Sequence, residues 1–447
     1  MTFRFALFTL LSLLLLSAAA PSQENLADSV KSEFLHAWNG YKKYAWGHDA
    51  LKPLSKTPRD WYSSSLYMTP VDAFDTMVLM GLQNQAAEAK KLILDSLSFD
   101  KDMEVQSFEI TIRLLGGLLS AYQLDGDPRF LRLAEDLGNR LLPVYDSPTG
   151  MPYRYVNLKT HKTRDARNNT AEIGTALLEF GALSKLTGRK EFYDKPKLAL
   201  IQLFNRRSAI GLVGTWIDVE SGKWLDKTSH IGGAIDSYYE YLIKSWRLFG
   251  DPDCKAMWDA SIAAVNKYVA DTAKGDLWYG QVDMETGKRT GTEFGSLEAF
   301  FPAVLCLGGD TDRAVALEES CVKMWSIAGI EPEEIDYSKM KIVEPQYVLR
   351  PEIIESAYYL LHFTKQEKYK KLGNLFFTDI RLNCRTEDAY AALRNVTTGE
   401  KSDQMESFFF AETLKYLYLI FGPPETLPFD EVTFGTEAHP LRKTWKD

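Results

Sequence analysis

Acidic side chains recur at one regular place in this chain. Glu109, Glu172, Asp236, Glu298, Glu352 and Glu406 each stand near the start of a segment with the apolar spacing of a buried helix, and Asp72 and Asp75 hold that place in an earlier one. One acid in a first helical turn needs no special account, because the helix dipole favours negative charge there. Recurrence within apolar strings is another matter: Ser107-Phe108-Glu109-Ile110-Thr111-Ile112 and Ala234-Ile235-Asp236-Ser237-Tyr238-Tyr239 put charge where burial is expected, and buried charge requires partners. A ring of such acids suits a cation, sugar hydroxyls, or both. Carboxyl groups in pairs also supply the acid and the base of glycosidic cleavage. Aromatic residues make up 13% of the chain, ten of them Trp, and offer faces for sugar rings, although filling the core explains most of them.

Other chemistries lack their residues. There is no GxSxG serine elbow and no glycine-rich phosphate loop after a strand. The cysteines, Cys254, Cys306, Cys321 and Cys384, form no CxxC pair, and His36, His48, His161, His230, His362 and His439 form no HExxH. A bound metal is therefore expected to be a hard cation with oxygen ligands.

The elements that must position these acids are amphipathic helices, read at 25–46, 70–81, 84–97, 105–124, 127–143, 170–187, 189–206, 231–249, 253–271, 295–307, 310–328, 348–365, 367–381 and 403–421. Tight polar turns such as Leu124-Asp125-Gly126-Asp127-Pro128, Thr187-Gly188-Arg189 and Gly250-Asp251-Pro252 join them into seven antiparallel hairpins. Longer links between pairs, such as Gly211 to Trp224 and Leu277 to Glu293, suit small β-hairpins at one end. Alternate helices are the more apolar and form an inner set, with Gly116-Gly117 and Gly232-Gly233 permitting close approach. A closed ring and an open stack of hairpins both satisfy this pattern.

A chain of 447 residues, 45% hydrophobic and 25% charged, buries a large core. Its formal charge of -9, with Lys and Arg spread evenly, argues against a nucleic-acid partner. Arg4, the apolar run Phe5 to Leu16 and the small residues Ser17 to Ala20 read as an export signal over residues 1–20, and length alone leaves the number of domains open. That run is short for a membrane span, and no later segment is long and apolar enough to cross a bilayer. An exported protein without stable membrane insertion, monomeric, is the expectation.

Longer strings carry a resemblance. Tyr44-Ala45-Trp46-Gly47-His48-Asp49, Phe108 to Tyr122, Asp236-Ser237-Tyr238-Tyr239-Glu240-Tyr241-Leu242, Leu349-Arg350-Pro351-Glu352-Ile353-Ile354-Glu355-Ser356, Met405-Glu406-Ser407-Phe408-Phe409 and Thr436-Glu437-Ala438-His439-Pro440 together resemble glycoside hydrolase family 47, the class I α-1,2-mannosidases, over nearly all of residues 21–447. The resemblance implies that 21–447 is a single domain, an all-α (α/α)7 barrel with a C-terminal hairpin plug, here Phe429 to Pro440. It also implies an inverting, Ca²⁺-dependent exo-α-1,2-mannosidase that takes terminal mannose from glycans. Glu352 matches the base and Glu109 the general acid, with Asp236 able to share or take that role; Thr436 matches the calcium ligand. Arg113, Glu172, Arg350, Glu355, Phe408, Glu412 and Glu437 are similar to substrate-binding positions, which favours Glu412 over Glu406.

Two departures bear on what is expected. Ala234 stands where members that stop after one mannose carry Arg. Ser296-Leu297-Glu298-Ala299-Phe300-Phe301-Pro302 resembles the ER-degradation-enhancing branch and removes half of the usual disulfide, leaving Cys321 unpaired or paired with Cys306. A mannose-binding module without efficient turnover and an α/α-barrel hydrolase of another sugar stand as alternatives.

Overall fold

The computed structural model describes residues 25–445; the expected export signal over residues 1–20 lies outside them. Among the described residues, fourteen main helices pair as hairpins. The inner partners are α2 (Met68–Leu79), α4 (Gly116–Asp125), α6 (Leu177–Thr187), α8 (Asp236–Phe249), α10 (Phe301–Leu307), α12 (Glu352–Thr364) and α14 (Leu414–Phe421). The outer partners are α1 (Leu26–Ala45), α3 (Gln83–Ser96), α5 (Pro128–Leu141), α7 (Glu191–Phe204), α9 (Pro252–Tyr268), α11 (Thr311–Ser326) and α13 (Lys368–Cys384).

Burial separates the two sets. In α2 every residue but Val78 is buried, whereas α3 buries only Ala89 and Ile93. An inner helix, covered on all sides, must be apolar all round, while an outer one needs only a stripe. Each inner helix packs on the next, and the helical turn leading into α14 packs back on α2. The ring is closed, as an (α/α)7 barrel, and an open stack is excluded. One apolar core runs from Ala27 to Leu441.

The hairpin turns follow from local chemistry. Asp127 and Asp251 cap α5 and α9 through backbone N–H groups at 3.0 and 2.9 Å, each ahead of a proline in the first turn. Gly126 and Gly250 end the preceding inner helices in the left-handed region, at φ 84° and 70°.

Between hairpins, short antiparallel sheets lead into the N-termini of inner helices. One joins Glu104–Gln106, Tyr155–Asn157 and Thr163–Arg164, and another joins Arg167–Asn169, Trp216–Asp218 and Trp224–Asp226. The C-terminal hairpin pairs Val432–Phe434 with Pro440–Arg442. Its base lies beside Trp246 and Leu248 at the C-terminal end of α8, and its tip reaches Asp236 and Ser237 at the other end of that helix. It fills the barrel from below, as expected.

Several helices start later than their apolar spacing suggests. The segments read from 231 and 348 become helical only at Asp236 and Glu352, after Ala234 (φ 71°) and Leu349 (φ 68°) take left-handed backbone. Such strain in a non-glycine residue persists only where surrounding structure holds it, and both residues shortly precede the acids of interest. All four cysteines are buried free thiols, so Cys321 is unpaired.

Candidate active site

The inner N-termini and the hairpin tip enclose a cavity of about 480 Å³. Glu109, Asp236 and Glu352 line it together, with Glu172, Arg113, Arg350, Phe408, Glu412 and Glu437. Thr436 lies on its floor and also lines a deeper recess of about 60 Å³, which adds Glu240 and Glu355. Every site residue that the resemblance implies therefore faces one connected space.

Glu352 opens α12. Its Oε2 is buried without a hydrogen-bond partner, and Arg350 Nη1 lies 3.7 Å from the other oxygen, Oε1. Arg350 is engaged elsewhere: its Nε and Nη2 donate to Glu333 at 3.0 and 2.9 Å. Burial pushes the Glu352 carboxyl up to about 8, with Arg350 only partly opposing it. Asp236, at the start of α8, accepts from the Ser237 N–H at 2.6 Å and the Ser237 hydroxyl at 3.1 Å; burial still raises it to about 6.

Glu109 accepts from Arg113 Nε at 3.0 Å, and Arg113 also pairs closely with Glu437. The Arg113 guanidinium lies 5.0 Å from the Trp61 ring and 5.8 Å from the Phe408 ring, so the aromatic and the cation hold each other at the cavity wall. Glu172 is clamped by donors from Gln106 at 2.9 Å, Asn169 at 2.8 Å and Arg154 at 3.1 Å. Asn169 also caps the Glu172 backbone N–H, so this acid is fixed from both ends.

Lower down, Glu355 accepts from the Tyr416 hydroxyl at 3.1 Å and lies 3.6 Å from Lys244, itself paired with Glu240. Burial raises Glu355 to about 7 and Glu437 to about 8, and raises Glu412 through burial together with the charges of Glu437, Glu352 and Glu355. The acids outnumber the cations beside them. Their shared upward shift comes chiefly from burial, with neighbouring carboxylates adding to it.

Four acids of the recurrent series do other work. Glu298 folds back to accept the Gly295 N–H at 3.0 Å, and Glu406 binds Arg59 at 2.6 Å; neither lines the cavity. Asp72 and Asp75 flank the His439 ring at 3.2 and 2.7 Å and anchor the hairpin below the floor. A first-turn position on an inner helix thus selects a level in the barrel but not the direction of the side chain.

Sequence spacing also missed two devices. Arg113 and Glu412 both sit in wide π-turns, Thr111–Leu115 and Phe409–Thr413, which rotate them off the regular helical face and toward the cavity. Arg154 and Trp216 reach the rim from the sheets, with the guanidinium 5.4 Å from the indole. A Pro-Tyr-Arg-Tyr run within a link was the one available signal for Arg154.

Among the described residues no group of three or more His, Cys, Asp or Glu is arranged to hold a metal. Thr436 brings a hydroxyl and a carbonyl oxygen to the cavity lining, donor types that suit a hard cation.

Comparison with known proteins agrees with this arrangement. Residues 33–443 match Glycosyl hydrolase family 47. The chain is 34% identical over 447 residues to mannosyl-oligosaccharide 1,2-alpha-mannosidase MNS1 of Arabidopsis thaliana, covering 94% of this chain and 79% of that protein. It is 36% identical over 460 residues to ER degradation-enhancing alpha-mannosidase-like protein 2 of Homo sapiens, covering 95% and 78%. Among solved structures, alpha-1,2-mannosidase from Trichoderma reesei superposes with a TM-score of 0.86 at 29% identity, covering 93% of this chain and 98% of that one. With a family match spanning nearly every described residue and a superposition of this quality over the whole barrel, this chain belongs to glycosyl hydrolase family 47.

Proposed function

We propose that this protein is an exported, Ca²⁺-dependent exo-α-1,2-mannosidase that inverts configuration at the cleaved carbon. The observation that carries the reading is the convergence of Glu109, Asp236, Glu352 and Thr436 on one cavity closed below by the hairpin. A pocket closed below suits a terminal sugar better than the interior of a chain. The relatives' names supply the mannose and the linkage, and the export signal read over residues 1–20 supplies the compartment. Among the described residues no helix is long and apolar enough to cross a membrane.

The residues fit a calcium ion by charge and by donor type. The unpartnered Glu352 Oε2 and the carboxyls of Glu355, Glu412 and Glu437, raised mainly by burial and further by neighbouring carboxylates, crowd acids into one cavity where a divalent cation would favour their ionised forms. Thr436 would hold the ion through its hydroxyl and carbonyl oxygens. When bound, calcium supplies a hard, positively charged centre for sugar hydroxyls and water.

The chain's own groups then divide the work. Glu352 Oε2 takes a proton from water on one face of the anomeric carbon. On the opposite face the leaving oxygen receives a proton from Asp236 or Glu109. Glu109 is tied to Arg113, which favours Asp236 as donor. Phe408 covers an apolar sugar face, and Arg113 and Glu437 fix its hydroxyls.

The test is hydrolysis of α-1,2-mannobiose with calcium and with a chelator. Turnover that disappears on chelation and returns with calcium supports the reading. Mannobiose binding without turnover in calcium would instead assign the chain to the mannose-binding class, which its likeness to the degradation-enhancing protein keeps in view.

A further inference from the structure

The hairpin tip that carries Thr436 is held at two places. On its far side the His439 ring sits between Asp72 and Asp75, and Lys415 Nζ donates to the Ala438 carbonyl at 2.6 Å. On the near side the Thr436 backbone N–H donates to the Tyr241 hydroxyl at 3.2 Å. Tyr241 is fully buried on α8, more than one turn below Asp236.

A phenol has one proton to donate, and here it goes to Glu179 Oε1 on α6, at 2.6 Å. A lone pair is then left facing Thr436, so the direction of the chain Thr436 N–H to Tyr241 to Glu179 is fixed. The packing is equally tight: a Cβ on Gly435 would stand 2.9 Å from Glu179 Oε1 and 3.6 Å from the Tyr241 oxygen, so bare backbone presses directly on the pair. Neither Glu179 nor Tyr241 lines the cavity or its deeper recess.

We propose that Tyr241, with its hydroxyl oriented by Glu179, is the positioning residue that aims the Thr436 oxygens at the cation. This rests on the calcium reading given above. Losing the phenol oxygen leaves the Thr436 N–H unpaired inside the barrel and frees the tip to turn, which reaches the cation site before it reaches any acid or base.

Calorimetric titration of the whole protein with calcium tests it without relying on turnover. Tyr241→Phe is expected to weaken calcium by roughly five- to tenfold, with far-UV circular dichroism unchanged. Glu179→Gln, which keeps an acceptor oxygen for the phenol, is expected to stay within roughly twofold of the unaltered protein. Gly435→Ala, which crowds Glu179, is expected to weaken calcium as Tyr241→Phe does, and it probes the same contact should Tyr241→Phe fold poorly. Calcium binding of normal strength in both Tyr241→Phe and Gly435→Ala overturns the inference while leaving the calcium reading intact. No calcium binding by the unaltered protein overturns that reading and the inference with it.

Discussion

At the scale of single residues, the division of labour turns on which carboxyl meets which environment. Glu352 is buried with one oxygen unpartnered, and as the proposed base it must act ionised, a form that positive charge in the cavity would favour against its burial. Glu352→Gln is expected to lower kcat on α-1,2-mannobiose by roughly 10²- to 10⁴-fold, while calorimetry still detects mannobiose binding. The proton donor is separable by leaving group. Asp236→Asn is expected to lose far more rate on mannobiose than on an aryl mannoside whose leaving group needs no proton; that pattern in Glu109→Gln alone would move the role to Glu109. These residues were legible because whole strings, not single acids, carried the resemblance. Glu298 and Glu406 had the same helical position and apolar context as Asp236, yet their carboxylates found a backbone N–H and an arginine outside the cavity. A rotamer is set by neighbours distant in sequence, and helical spacing does not contain it.

At the scale of elements, the paired helices and their turns were readable because caps and breakers act locally. The π-turns holding Arg113 and Glu412 were not, since one extra residue in a turn leaves the apolar pattern almost unchanged. Late helix starts at Asp236 and Glu352 escaped for a related reason: left-handed Ala234 and Leu349 have their carbonyls bonded by groups distant in sequence, the Ala171 N–H at 2.9 Å and the Thr413 hydroxyl at 2.7 Å, which no local preference announces. Close approach between elements gives a sharper prediction. In a helix Gly→Ala normally gains about 1 kcal/mol, but a Cβ on Gly117 would stand 2.7 Å from Val71 Cγ1 and 3.2 Å from the His439 ring. Overpacking of this kind destabilises by about 1–3 kcal/mol and should outweigh the gain. Gly117→Ala is therefore expected to lower Tm and to loosen the hairpin. A raised Tm would show that Val71 and His439 yield freely.

At the scale of the whole molecule, closure of the ring gathers like charges, and stability should record it. Glu352 and Glu437 titrate near 8 and Glu179, Glu298 and Glu355 near 7 in the folded protein, mainly through burial. Unfolded, such groups ionise near 4.5, so between those values the folded state holds more protons and its stability falls as pH rises. His439, raised to about 9 by Asp75 against the pull of burial, stabilises fully below its unfolded value and loses that contribution as pH climbs through 9. Both effects run the same way, each proton difference changing stability by about 1.4 kcal/mol per pH unit. The calcium-free protein is expected to melt lower at pH 8.5 than at pH 6.5, and calcium to raise Tm more at the higher pH; a Tm that rises with pH would contradict this. Ring closure itself was open in the helical pattern, because hairpins stack equally well in a line, and contact between α2 and the turn before α14 decides it. Early proton NMR spectra of α-1,2-mannobiose turning over in calcium test the central claim most directly. The account predicts that the mannose released from the non-reducing end appears first as the β-anomer; α-mannose appearing first, or no mannose at all, would contradict it.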